Sequence, residues 1–161
     1  MTDARGLTDK QMQQIAREFN FSESTFVFPP EGENTRKVRI FTPAREVPFA
    51  GHPNIGTAFV LASIGELGDV GESGEIIFEE KAGLVPIALK RTSDHRFWCE
   101  LKAPESISFG PTVPQETVAE ALSLSPDDLI TDTHPPIVAS VGLPFLMVEL
   151  KDRAGLERAK M

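Results

Sequence analysis

A single cysteine, Cys99, in 161 residues excludes an intrachain disulfide and any cysteine-based zinc site. Its setting, Phe97–Trp98–Cys99–Glu100–Leu101, reads as a strand, which makes it a buried, inert thiol. Histidine is scarce too: His52, His95 and His134 lie far apart, without metal-ligand spacing. No phosphate-binding G-x-x-x-x-G-K-[ST] loop, dinucleotide G-x-G-x-x-G or nucleophile elbow G-x-S-x-G occurs, so those catalytic classes have no support. Low-complexity tracts and short-period repeats are absent. The longest uncharged run, Val47 to Gly65, carries two prolines, a histidine, an asparagine and three glycines. A bilayer span needs about 20 mostly apolar residues. The polar N-terminus has no apolar core of a signal peptide, so the chain reads as soluble and cytoplasmic. Basic excess is lacking as well: the net charge of −8 argues against nucleic acid or an anionic membrane as the main partner.

What is present is an ordinary globular composition, 40% hydrophobic and 25% charged, long enough for one domain or one and a fraction. The spacing of Met12, Ile15, Ala16 and Phe19 predicts a helix over 9–19, with Thr8 as N-cap and Gln11 completing a capping box. Strands are expected at 25–28, stopped by Pro29–Pro30, and at 36–42. Pro53 suits a first helical turn. From Ile55 to Ile64 the helix has no charge on any face, which marks it as buried. Three strands should follow at 75–80, 83–90 and 95–102, with Pro86 favouring an edge or bulge in the second. Then come a loop over 104–114, short helices over 114–122 and 125–130, a strand over 143–150 and a terminal helix over 152–160. Strands, one buried helix, more strands and small outer helices make an α+β pattern rather than regular βαβ alternation.

Two places carry chemistry. Glu23 sits where a helix meets a strand, between Phe21 and Phe26; it is a partly desolvated carboxylate suited to proton transfer, a solvated turn residue, or a carboxylate capping a backbone N–H. Gly51–His52–Pro53 opens the uncharged helix, where free N–H groups and the helix dipole favour an anion. Glycine lets a ligand approach the backbone. His52 either donates a hydrogen bond to a carboxylate or enolate, or merely caps the helix.

At these residues the chain resembles the PhzF-like (phenazine biosynthesis protein) isomerase family, which shares a fold with diaminopimelate epimerase. The resemblance rests on Leu7–Thr8–Asp9, Gln11–Met12, Ile15–Ala16–Arg17–Glu18, Asn20–Phe21–Ser22–Glu23–Ser24–Thr25–Phe26–Val27, Arg39–Ile40–Phe41–Thr42–Pro43 and Pro48–Phe49–Ala50–Gly51–His52–Pro53, with Val141–Gly142–Leu143–Pro144–Phe145–Leu146 as a later segment. It implies a diaminopimelate epimerase-like domain, a curled mixed β-sheet around a central buried helix, in a two-domain protein with its active site in the cleft. It implies Glu23 as acid/base, His52 as active-site histidine, and Ser22 and Gly51 as pocket residues. The substrate would be a small carboxylate-bearing molecule and no cofactor or metal would be required. In the phenazine-pathway member, the glutamate takes a proton from one ring carbon of dihydro-hydroxyanthranilate and a proton returns to another. Epimerase relatives use two opposed cysteines; here one of those positions is Glu23, and Cys99 lies on a different strand.

The chain departs from the family pattern at both ends. The usual first strand and Gly-Asn-Pro turn, and the later Asp-x-Ala-Thr-Gly-Ser-Ala segment, are absent. The expectation is therefore an N-terminal domain over 1–132 with its first strand missing, and the start of an incomplete second domain over 133–161. Uncovered edges and apolar surface predict a homodimer or a complementing C-terminal half. The alternative is a catalytically incomplete anion-binding or assembly module.

Overall fold

The computed structural model describes residues 1–94 and 96–160. They form two compact units, Met1–Glu105 and the part from Ser106 onward. Residues 106–132, grouped with the first domain on sequence grounds, thus fall in the second compact unit.

The first unit opens with α1 (Asp9–Phe19), started by the expected capping box: Thr8 Oγ1 accepts the Gln11 N–H at 3.3 Å, and Gln11 Oε1 accepts the Thr8 N–H at 2.9 Å. Asn20, left-handed at φ 53°, ends the helix. Met12 and Ala16 are fully buried against Phe26 and Phe41. Phe19, expected in the same stripe, is instead exposed and stacked on Phe21, because the apolar cluster beneath α1 is small and ends before the helix does. Thr8→Ala should cost about 1 kcal/mol of stability, the usual worth of such a cap, read as a lower urea midpoint at unchanged m-value.

β1 (Ser24–Phe28) pairs antiparallel with β2 (Arg36–Phe41), which also carries the two-residue β3 (Glu46–Val47). α2 (Gly51–Ser63) follows, then β4 (Ser73–Glu80), parallel to β2, and β5 (Gly83–Arg91), zipped to β4 along its whole length. β6 (Phe97–Leu101) completes the order β1-β2-β4-β5-β6. His95, the first residue of the strand expected there, lies outside the described residues. Strand alternation sends Phe26 and Phe28 toward α1, and Val27, with Val38 and Ile40, into the core with α2. That core adds Phe78, Val85, Ile87 and Leu89 around Ala58 and Leu61. The sheet curls so that its two edges, β1 and β6, both reach α2.

Two expectations need correction here. β5 is an interior strand despite Pro86. The Pro86 carbonyl accepts the Lys102 N–H, so the side of Pro86 that lacks a donor faces β6, just past the last paired residue Leu101; the β4 ladder is untouched. And α2 is not buried on every side: Asn54, Thr57, Ala58, Leu61 and Ala62 are, but Ile55, Phe59, Val60 and Ile64 are 37–55% exposed. The curled sheet covers one face of the helix, so the absence of charge marks both a core face and an uncovered one.

The second unit pairs β7 (Ser108–Thr112), β9 (Ile137–Ser140) and β10 (Pro144–Met147) in one sheet, and β8 (Leu129–Ile130) with β11 (Glu149–Leu150) in another. α3 (Gln115–Ala121) contributes Val118 and Ala119 to a small cluster with Leu129, and α4 (Arg153–Arg158) packs on β11. β7 stands where a loop was expected; Gly110 and Pro111 hide its pattern, and its pairing with β9 shifts register there. The helix expected over 125–130 is only a 3-10 turn, Pro126–Asp128, capped by Ser125, after which Leu129 extends to pair with Leu150. The strand expected over 143–150 is two, because β10 and β11 pair with different partners. Among the described residues, no helix is long and apolar enough to cross a membrane.

Candidate active site

The short link after α1 turns through Asn20 and Ser22 and places Glu23 immediately before β1. Strand period carries Glu23, Thr25 and Val27 to the face that looks at α2. The α2 end of the site starts from Ala50, an extended N-cap that offers no side-chain acceptor. The first-turn N–H groups of α2 therefore have no side-chain partner at the N-cap. A Cβ at Gly51 would meet nothing within 4 Å, so the space beside this helix start is open.

His52, the second helical residue, brings its Nε2 to 3.1 Å from Glu23 Oε2. The imidazole is 75% exposed and the carboxylate 19%. Oε2 is shielded from solvent and closes no hydrogen bond of good angle even with His52, so the contact is one of proximity and charge rather than an aligned bond. A cavity of about 340 Å³ opens on this pair, lined by Glu23, Thr25, Val27, His52, Pro53, Gly56, Thr57 and Val60 among others. At its base Thr57 Oγ1 donates to Thr25 Oγ1 at 2.9 Å. The site thus offers one carboxylate, one imidazole, two hydroxyls and an uncapped helix start against an apolar wall.

Of the four residues picked from sequence, Glu23 and His52 meet. Ser22 and Gly51 flank them without lining the cavity, and Ser22 is exposed. Phe21 and Phe26 do not desolvate Glu23: Phe21 is 65% exposed and Phe26 packs on the α1 side of the sheet. The carboxylate instead faces α2, with His52 Nε2 3.1 Å away. Thr25 and Thr57 escaped the sequence reading, although the signal was there: Thr25 is two strand positions from Glu23, and Pro53, Gly56, Thr57 and Val60 repeat at helical spacing. Among the described residues, no three His, Cys, Asp or Glu side chains converge as a metal-binding group.

Comparison with known proteins gives a match of the family model for phenazine biosynthesis-like protein over residues 1–161. An uncharacterised isomerase of Mesorhizobium japonicum is 38% identical over 162 residues, covering 98% of this chain and 50% of that protein. The trans-2,3-dihydro-3-hydroxyanthranilate isomerase of Pseudomonas aeruginosa is 40% identical over 102 residues, covering 63% of this chain and 34% of that enzyme. Among solved structures, a predicted epimerase of Pseudomonas aeruginosa superposes with a TM-score of 0.84 at 34% identity, over 99% of this chain and 55% of that one. The chain spans about half the length of the curated relatives that it matches along nearly its whole extent.

Proposed function

This chain belongs to the phenazine biosynthesis-like protein family, and we propose that it supplies the Glu/His half of an isomerase that moves a proton between carbons of a small carboxylate-bearing substrate without a cofactor. The observation that carries the proposal is the Glu23–His52 contact of 3.1 Å at the wall of a cavity, beside a helix start with no side-chain cap.

In this reading Glu23 is the general acid/base. Its carboxylate takes a proton from a substrate carbon, leaving the electron pair to delocalise toward the substrate carboxylate. The first-turn N–H groups of α2 and the imidazole of His52 face that developing negative charge. The Glu23 carboxyl exchanges its proton with solvent in the open cavity and delivers one to a different carbon, so Glu23 ends ionised as it began and no oxidant or reductant is consumed. Thr25 and Thr57 provide hydroxyls for a polar substituent, while Val27, Val60 and Leu61 hold an apolar face. Ser22 and Gly51 line the approach. Trans-2,3-dihydro-3-hydroxyanthranilate, named in the Pseudomonas relative, is the first substrate to try. A homodimer or a complementing C-terminal half would complete the site.

A second reading, an anion-binding or assembly module without turnover, draws on the exposed apolar face of α2. The two part in D2O. The chain is incubated with trans-2,3-dihydro-3-hydroxyanthranilate, alone and with the C-terminal half of a relative, and followed by proton NMR. Deuterium entering the receiving carbon is the expected result. Absence of exchange in both mixtures, with the chain folded, would leave the assembly module.

A further inference from the structure

Beneath the first turn of α2, among side chains that do not line the cavity, two residues bury their polar atoms with no hydrogen-bond partner among the described residues. Asn54 is fully buried, and neither its Nδ2 nor its Oδ1 has a hydrogen-bond partner. Both carboxyl oxygens of Glu80, the last residue of β4, are likewise shielded from solvent and unbonded. Among the described residues, the Asn54 amide is the one hydrogen-bonding group that acts on the Glu80 carboxyl, although the two stand outside ordinary bond geometry. Four unpaired polar atoms in one place are unusual in a folded protein, since leaving such groups unsatisfied costs far more than a typical bond contributes.

The chemistry of the pair resolves this. An ionised carboxylate only accepts, so it can use the Asn54 NH2 but leaves the Asn54 carbonyl facing a negative charge. A protonated carboxyl both donates and accepts, and an acid and a primary amide then close a ring of two bonds: Glu80 O–H to Asn54 Oδ1, and Asn54 Nδ2–H to the Glu80 carbonyl. That single protonation engages both side chains. Burial acts in the same direction, pushing the Glu80 carboxyl up to about 8, with the Asn54 contact a smaller opposing effect. Among the described residues, no neighbouring charge contributes. Glu79 on β4 is held by the Asn34 side chain and the Glu31 and Gly32 N–H groups. Lys81 in the turn and Arg39 on β2 both engage Glu46 of β3, and β5 begins with uncharged Gly83 and Leu84. On α2 the nearest titratable group is His52, exposed on the cavity side.

Position gives the pair its significance. Three consecutive residues, the last of β4 and the two of the β4–β5 turn, hold the segment that delivers His52: Glu80 faces Asn54, Lys81 pairs with Glu46, and the Ala82 N–H donates to the Pro48 carbonyl at 3.2 Å. Lys81 and Ala82 grip the approach to α2, whereas Glu80 alone reaches the helix itself, two residues past His52. We infer that Asn54 and protonated Glu80 form a buried acid–amide pair that seats the first turn of α2, making both positioning residues for His52 against Glu23. Release of the Glu80 proton opens the ring and frees the helix start to shift, so the site is built to sense alkaline pH through a group that never touches the substrate.

The functional importance of this pair rests on the isomerase reading, but its test needs no substrate, so failure of one does not imply failure of the other. In the full chain labelled with 13C at glutamate carboxyls, the Glu80 resonance is assigned by its loss in Glu80→Gln. Its midpoint is expected near 8, well above the ordinary carboxylate range. The His52 Cε1–H resonance should show an inflection at that same midpoint, absent in Glu80→Gln, whose neutral amide cannot titrate. A Glu80 midpoint in the ordinary range would overturn the pair. A high midpoint with no matching His52 inflection would overturn its positioning role.

Discussion

Glu23→Gln should lower the rate of deuterium incorporation into the substrate by about 10²- to 10⁴-fold, the span usually lost with a general acid/base. Glutamine has the shape of glutamate and fits a side chain that is only 19% exposed, so the cavity keeps its form. What disappears is the ability to accept and return a proton. His52→Gln should do less, since it removes one contact to developing charge and leaves the proton carrier in place; about tenfold is expected. The same Glu23 substitution should leave stability unchanged or raise it by up to about 1 kcal/mol, because Oε2 is shielded from water without an aligned partner and a neutral amide costs less there. Loss of turnover with preserved or improved folding is the signature of a group kept for chemistry. Initial rates by proton NMR and urea midpoints on the same preparations check both halves. A Glu23→Gln variant retaining rates within about threefold of the parent would remove Glu23 from the mechanism.

The sequence displayed the ingredients of this site more clearly than their arrangement. The bounds of α1 were legible because its cap and most of its apolar period are local, but the exposure of Phe19 was not, since it depends on where the packed cluster ends. Glu23 and Gly51–His52–Pro53 were legible as a family pattern and as an unusual helix start. Their meeting was not, since it depends on how β1 and α2 come together across the curled sheet. For the same reason Phe26 was misplaced beside Glu23. Adjacent residues of a strand point to opposite faces, and Phe26 belongs to the α1 layer while Glu23 looks at α2. An uncharged helix such as α2 says that no face tolerates a charge, but not which face the sheet will cover. Pairings such as β7 with β9 are decided by partners about 30 residues away, and no local propensity encodes them. Asn54 and Glu80 carried no sequence signal at all: each is an ordinary polar residue until the turn after β4 is folded under the helix.

Raising the pH from 5 to 9 should weaken the first unit by about 2–4 kcal/mol through Glu80, and Glu80→Gln should abolish that loss. The sign follows from proton counting. With its carboxyl pushed up from 4.5 to about 8 by burial, the native chain keeps a proton that the unfolded chain has already released over that interval. The contribution to stability is therefore complete below pH 4.5 and is lost as the pH rises through 8. A shift of this size has a ceiling near 5 kcal/mol, and partial solvent access to the residue reduces it. Other groups shape the curve as well, Cys99 among them, whose thiol burial raises, and must be kept apart from this one. Burial lowers the Met1 ammonium, whose contribution has the opposite slope, growing as the pH rises toward 8. Glu79 is held low by the Asn34 side chain and the Glu31 and Gly32 N–H groups. Burial works against Glu46, but Arg39 and Lys81 outweigh it and hold it low as well. Those two carboxylates stabilise the fold above the ordinary carboxylate range and lose that contribution as the pH falls below it. The decisive quantity is thus the difference between parent and Glu80→Gln, measured by urea unfolding at pH 5, 7 and 9 under far-UV circular dichroism. The curves should draw together at pH 5 and diverge by pH 9 with the variant the more stable, because only the parent must then bury a carboxylate or pull α2 away from it. Parallel curves across that range would mean that Glu80 is already ionised in the native fold, and that something other than an acid–amide ring holds the helix start in place.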